Sequence, residues 1–421
     1  MPTLTCPDVI RKVADRYKSA SGMSFGPLSA LLGAFALGAS SLCEAVRQNA
    51  WMPSVSSLDA ALGDFDEVAF MRRLRSNILH SKPEGFDPNR FCFSVDDTLV
   101  ERFGELIHAR GYHPRHGKSG VTRGQRVIVL SLIDKERGVA TPLAFAMCLN
   151  KSEVGYETLQ DLSVKLMAQV VAAGFPALPV VMDSGFDSMP LMAKFDEKGW
   201  TIVIECRANR KVKRSAAPGT PWGTWKDALG KEVRRGVRLP PTERNTRFRK
   251  TKYVASRRVQ LNGRGAPVMA CAIYNGATDA NAFAFHATND LSLTGDELWA
   301  LARARWHIEE MFRTLKQSFG FLKFPVRGEN RCMATICLPF ALLSDLQWHP
   351  EHWGAPPQMP FGLAVRRLRQ RLLWETIMRM GDGTKHVSKL TLMKRRLGED
   401  NSKKPVNPSA DEVSAYLGLA S

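Results

Sequence analysis

The chain lacks a paired-cysteine pattern, lacks a long apolar run, and is short of acids for its number of bases. Its eight cysteines stand singly at Cys6, Cys43, Cys92, Cys148, Cys206, Cys271, Cys332 and Cys337. Only the last two are close in sequence, and no second pair matches them. That spacing excludes a Cys-built zinc site and a disulfide framework, and points to reduced thiols in a cytoplasmic protein. The longest apolar stretch, residues 25–39, is too short and too rich in glycine to span a bilayer. No basic segment followed at once by an apolar core opens the chain, so no signal peptide and no membrane partner are expected. No internal repeat is present.

The shortage of acids is informative. There are 41 acids against 59 bases, for a net charge of +18 and a pI near 9.7. Between Arg207 and Arg264 the imbalance concentrates, with 18 Lys or Arg against three acids, Asp227, Glu232 and Glu243. Charge that served only solubility would be spread more evenly. A stretch like this fits a phosphate-binding surface, and nucleic acid is the expected partner. With 421 residues, 44% hydrophobic and 24% charged, the chain is long enough for two or more globular domains.

Periodicity divides it further. Residues 1–85 read as a helical region that could serve DNA binding or dimerisation. In residues 86–206, strand-like runs at 90–98, 125–133 and 140–149 precede a helix at 156–173, a buried strand at 179–183, a short helix at 189–198 and a strand at 200–206. The expected class is α/β. Residues 207–290 change character: proline- and glycine-rich pieces separate short β-like runs, which reads as a basic β-rich insertion. Its aromatics Trp222, Trp225, Phe248 and Tyr253 suit base stacking or a small core of its own. Residues 291–348 return to the α/β part through a long helix. Residues 349–421 form a proline-rich linker and a basic helical C-terminal region.

The chemistry concentrates on that long helix. Residues 302–319 contain no Gly or Pro. At about 100° per residue, with Arg305 at zero, Glu309 falls at about 40° and Lys316 at about 20°. Leu301, Ile308, Phe312, Leu315 and Phe319 form the adjacent apolar stripe. A base, an acid and a base therefore run along the rim of the buried face. An ordinary helix ion pair has the same spacing; what raises the interest is two further acidic positions. Asp96 or Asp97 ends a first strand, and Asp183 ends a later one, where open α/β sheets bind ligands. Asp183 also has an ordinary reading as a turn cap, although Asp187 is better placed to cap the helix that begins at Met189. Three carboxylates can hold two divalent ions for phosphodiester chemistry. All-oxygen ligands, with no evident His/Cys cluster, favour Mg2+, for which Mn2+ can substitute.

At these residues the sequence resembles the DDE transposases of bacterial insertion sequences, in the insertion sequence four family. The signature on that family's Glu helix is Tyr, two residues, Arg, three residues, Glu, six residues, Lys. Here Arg305-Trp-His-Ile-Glu-Glu-Met-Phe-Arg-Thr-Leu-Lys316 keeps the Arg, Glu and Lys, while Ala302 stands at the Tyr position. Val181-Met-Asp-Ser-Gly-Phe-Asp-Ser188 is similar to the second-Asp motif and Val95-Asp-Asp-Thr98 to the first. The likeness covers roughly residues 88–345.

The resemblance implies an RNase H-like core interrupted by a β-rich insertion. It also implies a metal-binding triad of Asp96, Asp183 and Glu309, with Asp97 the alternative first member, holding two Mg2+ ions. Arg305 and Lys316 would contact phosphates near the transposon end, and Trp306 would stack on a displaced base; Arg313 and, from the basic stretch, Arg247, Arg249, Lys250 and Lys252 are the further DNA contacts expected on charge. The implied activity is cleavage of transposon ends, through a hairpin, and their joining to target DNA by a homodimer bound to double-stranded DNA at the bacterial nucleoid. Two other readings fit the same residues: an RNase H-like nuclease that only hydrolyses, and a catalytically inactive DNA-binding derivative, for which Ala302 is the hint.

Overall fold

The computed structural model describes residues 8–48, 53–101, 107–114, 121–229 except 216 and 218, 235–237, 251–353 except 280, and 365–372 except 367 and 371. Arg247, Arg249, Lys250 and Phe248, most of the basic helix expected near residues 364–374, and the C-terminal tail fall outside the described residues. The chain divides into two compact units, Met1–Phe70 with Leu315–Ser421, and Met71–Thr314.

The first unit begins with α1 (Asp8–Tyr17), α2 (Phe25–Ala36), α3 (Leu42–Gln48) and α4 (Val55–Gly63). A fifth helix, α5 (Glu67–His80), starts in this unit and from Met71 belongs to the second. Small residues and leucines bury α2 almost all round, which a helix at the centre of a bundle requires. The long helix α11 (Glu329–Trp348) returns to this unit and packs on α2 and α4. Phe35 stacks on Phe324 with ring centroids 4.5 Å apart. Arg331 makes a bidentate pair with Asp59, both bonds 2.9 Å. Buried Asp345 accepts from Arg16.

The second unit is built on one mixed sheet. Its strands are β1 (Phe91–Glu101), β2 (Arg110–Pro114), β3 (Val121–Asp134), β4 (Val139–Met147), β5 (Val180–Met182), β6 (Ile202–Glu205), β7 (Val212–Lys213), β8 (Arg235–Val237), β9 (Lys252–Leu261), β10 (Val268–Tyr274) and β11 (Ala284–Thr288). The helices of this unit are α6 (Leu159–Ala172), α7 (Met189–Glu197), α8 (Trp225–Leu229) and α9 (Gly295–Ala304), and α10 (Trp306–Ser318) follows α9. β3 lies antiparallel to β1 and carries β4 and β2 along its outer edge. On the other side of β1, β5 and β6 run parallel. The order β4-β3-β1-β5-β6 thus combines an antiparallel meander with two parallel strands reached through α6 and α7.

The basic stretch, in its described residues, extends this sheet: β11 pairs antiparallel with β6, and β10 and β9 follow. Its aromatics divide between packing and solvent. Trp225 is buried and stacked on Phe285 at 5.0 Å, whereas Trp222 remains exposed beneath Lys213.

Two local expectations need correction. Ser188, not Asp187, caps α7, its side chain accepting from the Leu191 N–H. Asp187 instead pairs with Arg210 at 2.7 Å and accepts from the Arg207 N–H, anchoring the start of the basic stretch. The long helix is also interrupted. It breaks at Arg305, where Arg305 N–H bonds to Ala302 and Ile308 N–H to Arg305, both three residues back. Such tightening inside a helical run re-aims the side chain at the break.

Candidate active site

Register sets the site. Val95 on β1 lies opposite Met182 on parallel β5, so the next residues along these strands, Asp96 and Asp183, are neighbours at one end of the sheet. Asp183 is held by the turn that follows: its Oδ1 accepts from Gly185 N–H at 2.9 Å. A Cβ at residue 185 would lie 3.0 Å from that same oxygen, so glycine there keeps the carboxylate uncrowded. The ordinary turn role is therefore present in Asp183.

Glu309 arrives on α10. The apolar stripe expected of this helix is present, with Ile308, Phe312, Leu315 and Phe319 buried. It fixes the rotation that leaves Glu309 at the rim. Arg305, at the break, donates to Glu309 Oε1 at 2.7 Å and reaches Asp96 Oδ2 at 3.4 Å. One guanidinium thus joins the acid from the sheet to the acid from the helix.

The electrostatics follow. Burial first, then the Asp183 charge, pushes the Asp96 carboxyl up to about 7, against the opposing pull of Arg305. Burial also raises Glu205, at the end of β6, where it feels Arg305, Asp183 and Glu309. Burial alone would lower Arg305, yet Glu309, Asp96 and Asp183 hold it above its ordinary value. A fourth acid, Glu205, and buried His286 opposite it on β11 thus belong to this neighbourhood. Burial, with Arg305 beside it, drops the His286 imidazole to about 4, so it is neutral at physiological pH. Neither residue was singled out in the sequence, although a charge at the end of the buried strand 200–206 was the signal available.

Asp97 points elsewhere. Strand alternation turns it away from Asp96, and it takes a bidentate pair from Arg126 at 2.6 and 2.7 Å. Among the proposed DNA contacts, Arg313 lies over the exposed Trp306 ring at 5.8 Å. Lys316, about two turns beyond Glu309, is half-buried. Lys252 lies over Phe283 at 4.8 Å on β9.

The donor set suits hard divalent cations: carboxylates from two strands and a helix, one of them raised by burial and by a second acid. Among the described residues, however, the oxygens of Asp96, Asp183 and Glu309 do not all lie within 4.8 Å of one another. Repulsion separates bare carboxylates, and Arg305 occupies the gap between two of them.

Residues 163–343 match the family model described as the transposase DDE domain. The chain carries a DDE transposase domain. Its function is that of a DNA transposase, an enzyme of the DDE type. The matched span includes Asp183, the basic stretch and the whole of α10, and begins after β1. No curated protein matches the chain. Among solved structures, a cryo-EM structure of the piggyBac transposase synaptic complex with hairpin DNA is similar at 13% identity and a TM-score of 0.44, over 93% of this chain and 79% of that one. Among the described residues no helix is long and apolar enough to cross a membrane.

Proposed function

We propose that this transposase cuts the ends of its own mobile element and joins them to target DNA, using Asp96, Asp183 and Glu309 as the ligands of two Mg2+ ions. The observation that carries the assignment is the Asp96–Arg305–Glu309 bridge beside Asp183. Groups from three stretches far apart in sequence meet beside the C-terminal end of β5. The strand order β4-β3-β1-β5-β6, with β3 antiparallel, supports an RNase H-like reading of the core. The Arg305, Glu309 and Lys316 spacing supports membership of the insertion sequence four family.

Bound divalent ions would activate the attacking oxygen and stabilise the leaving oxygen of the phosphodiester. The protein's own residues supply the rest. Asp96 and Asp183 set the ligand positions through strand register, and the Asp183–Gly185 turn fixes one carboxylate. Arg305 holds Glu309 and Asp96 in reach of each other. A phosphate entering the site offers Arg305 a further anionic partner, suited to its planar donors. Arg313, Lys316 and Lys252 then belong to the DNA contact, as do Arg247, Arg249 and Lys250 from the insertion, with Trp306 stacking on a base. A homodimer holding two element ends, working at the bacterial nucleoid, completes the reading. Joined products alongside nicks separate it from a nuclease that only hydrolyses.

Asp183→Asn and Glu309→Gln are each expected to lower cleavage on the order of 10^3-fold or more while leaving affinity for element-end DNA nearly unchanged. Gel-shift and cleavage assays on one labelled duplex measure both. Wild-type cutting by either variant would remove that residue from the metal site. Arg305→Ala is expected to weaken end binding and to reduce the salt slope of log Kd by about one. An unchanged slope across a salt series would take Arg305 out of the phosphate contacts.

A further inference from the structure

Away from the carboxylates, the helical unit brings His349, Glu351 and His352 together at the C-terminal end of α11. They lie in the run His349-Pro-Glu-His352, within the stretch that sequence alone reads as a linker. One ligand atom from each of the three falls within 4.8 Å of the other two. Glu351 Oε1 lies 3.4 Å from His349 Nδ1 and 3.6 Å from His352 Nε2. A tetrahedral zinc ion with bonds of about 2.0–2.1 Å sets its ligand atoms about 3.3–3.4 Å apart. The observed separations are close to that edge length.

The surroundings match as well. His352 Nδ1 lies 3.3 Å from Oδ2 of Asp345, whose side chain is fully buried and whose other oxygen accepts from Arg16. Zinc-ligating histidines characteristically donate their second N–H to a carboxylate, which fixes the tautomer and leaves the other nitrogen for the metal. Here that arrangement leaves Nε2 facing Glu351. The two imidazoles lie nearly parallel, 16° apart with centroids at 5.0 Å. With His352 held by Asp345, it is the His349 ring that turns to aim its lone pair at a shared ion. Glu351, 65% exposed, leaves the site open to entry from solvent.

We propose that His349, Glu351 and His352 form a second metal site of the protein, one that takes Zn2+ and not Mg2+, with Asp345 orienting His352. Imidazole ligands favour zinc over magnesium, so the site discriminates against the ion expected at Asp96, Asp183 and Glu309. With three protein ligands, a fourth position is left for water. The ion clasps the 3-10 turn Pro350–Trp353 to the end of α11 and, through Asp345 and Arg16, to α1.

The test is calorimetric titration of Zn2+ into the full chain in excess Mg2+, repeated with Asp183→Asn so that binding by the other carboxylates is separated. The expected result is one Zn2+ per chain with micromolar or tighter affinity in both proteins. Glu351→Ala, at an exposed position where folding is not at risk, should weaken it at least ten-fold, and His352→Ala should abolish it. Asp345→Asn should cost about 10–100-fold, as loss of an orienting carboxylate does. Substituting Co2+ should give the visible absorption of a four-coordinate ion in the wild type and not in His352→Ala. No binding in excess Mg2+, or equal affinity and stoichiometry in Glu351→Ala and His352→Ala, would overturn the proposal.

Discussion

Asp96→Asn is expected to abolish cleavage and, in the metal-free protein, to raise the melting temperature. Both effects come from the same crowding of charge. Asp96 sits 14% exposed beside Asp183, and its carboxyl is pushed from 3.8 up to about 7. A carboxyl raised on folding binds its proton more tightly in the native state. Ionisation therefore favours the unfolded chain. The penalty is absent below the unfolded value of about 4, grows as pH rises toward 7, and is fully present above it. Asparagine keeps an oxygen to accept from the Asp97 N–H, which now bonds to Asp96 Oδ1 at 2.8 Å, and carries no charge.

The stabilisation above pH 7 should be on the order of 1–4 kcal/mol, a rise of several degrees. It should shrink to nothing near pH 4. Melting curves from pH 4 to 8 without divalent ions check this. A variant that is less stable than wild type at pH 8 would contradict the account of Asp96 as a buried acid whose charge Arg305 offsets only in part. Saturating Mg2+ should narrow the difference, because it stabilises the wild type and binds the variant less.

Asp97→Asn should do the opposite. Asp97 and Arg126 form a mostly buried bidentate pair, with side chains 8% and 22% exposed. Removing one partner leaves the other charge in the protein without its counter-ion, which costs about 2–4 kcal/mol when discounted for the partial exposure of the arginine. Cleavage per folded molecule, measured well below the melting temperature, should stay within a few-fold of wild type. The two neighbouring aspartates are thus separated by opposite signs in stability and by activity. If Asp97 were the metal ligand, Asp97→Asn would lose cleavage and Asp96→Asn would retain it.

Much of this site was legible before any fold was known. Glu309 and Arg305 are placed by helical spacing, and the apolar stripe of α10 fixes which way they face. Asp183 is marked by three apolar residues before it and Ser-Gly after it. The choice between Asp96 and Asp97 was not legible, because both lie on the same strand and alternation alone does not say which side faces the site. Register against β5 and the side-chain partner Arg126 supply that information, and both are long-range.

Glu205 and His286 were missed for the same reason. They become neighbours only when β11 pairs with β6. That strands of the basic stretch join the same sheet is likewise a matter of pairing, to which composition is blind. The break at Arg305 was hidden because nothing in residues 302–319 disfavours a helix; the tightening accompanies the turn of one side chain toward two acids. His349, Glu351 and His352 were obscured by their prolines, which read as a linker although the segment folds back as a turn on α11.

The most direct measurement is to incubate purified protein with a labelled duplex carrying the element's own terminus, with and without Mg2+, beside Glu309→Gln. The account predicts defined cuts at that terminus with Mg2+, none without it, and none from the variant, which still shifts the duplex. Cuts that persist in Glu309→Gln, or binding by the wild type without any cut in Mg2+ or Mn2+, would contradict it.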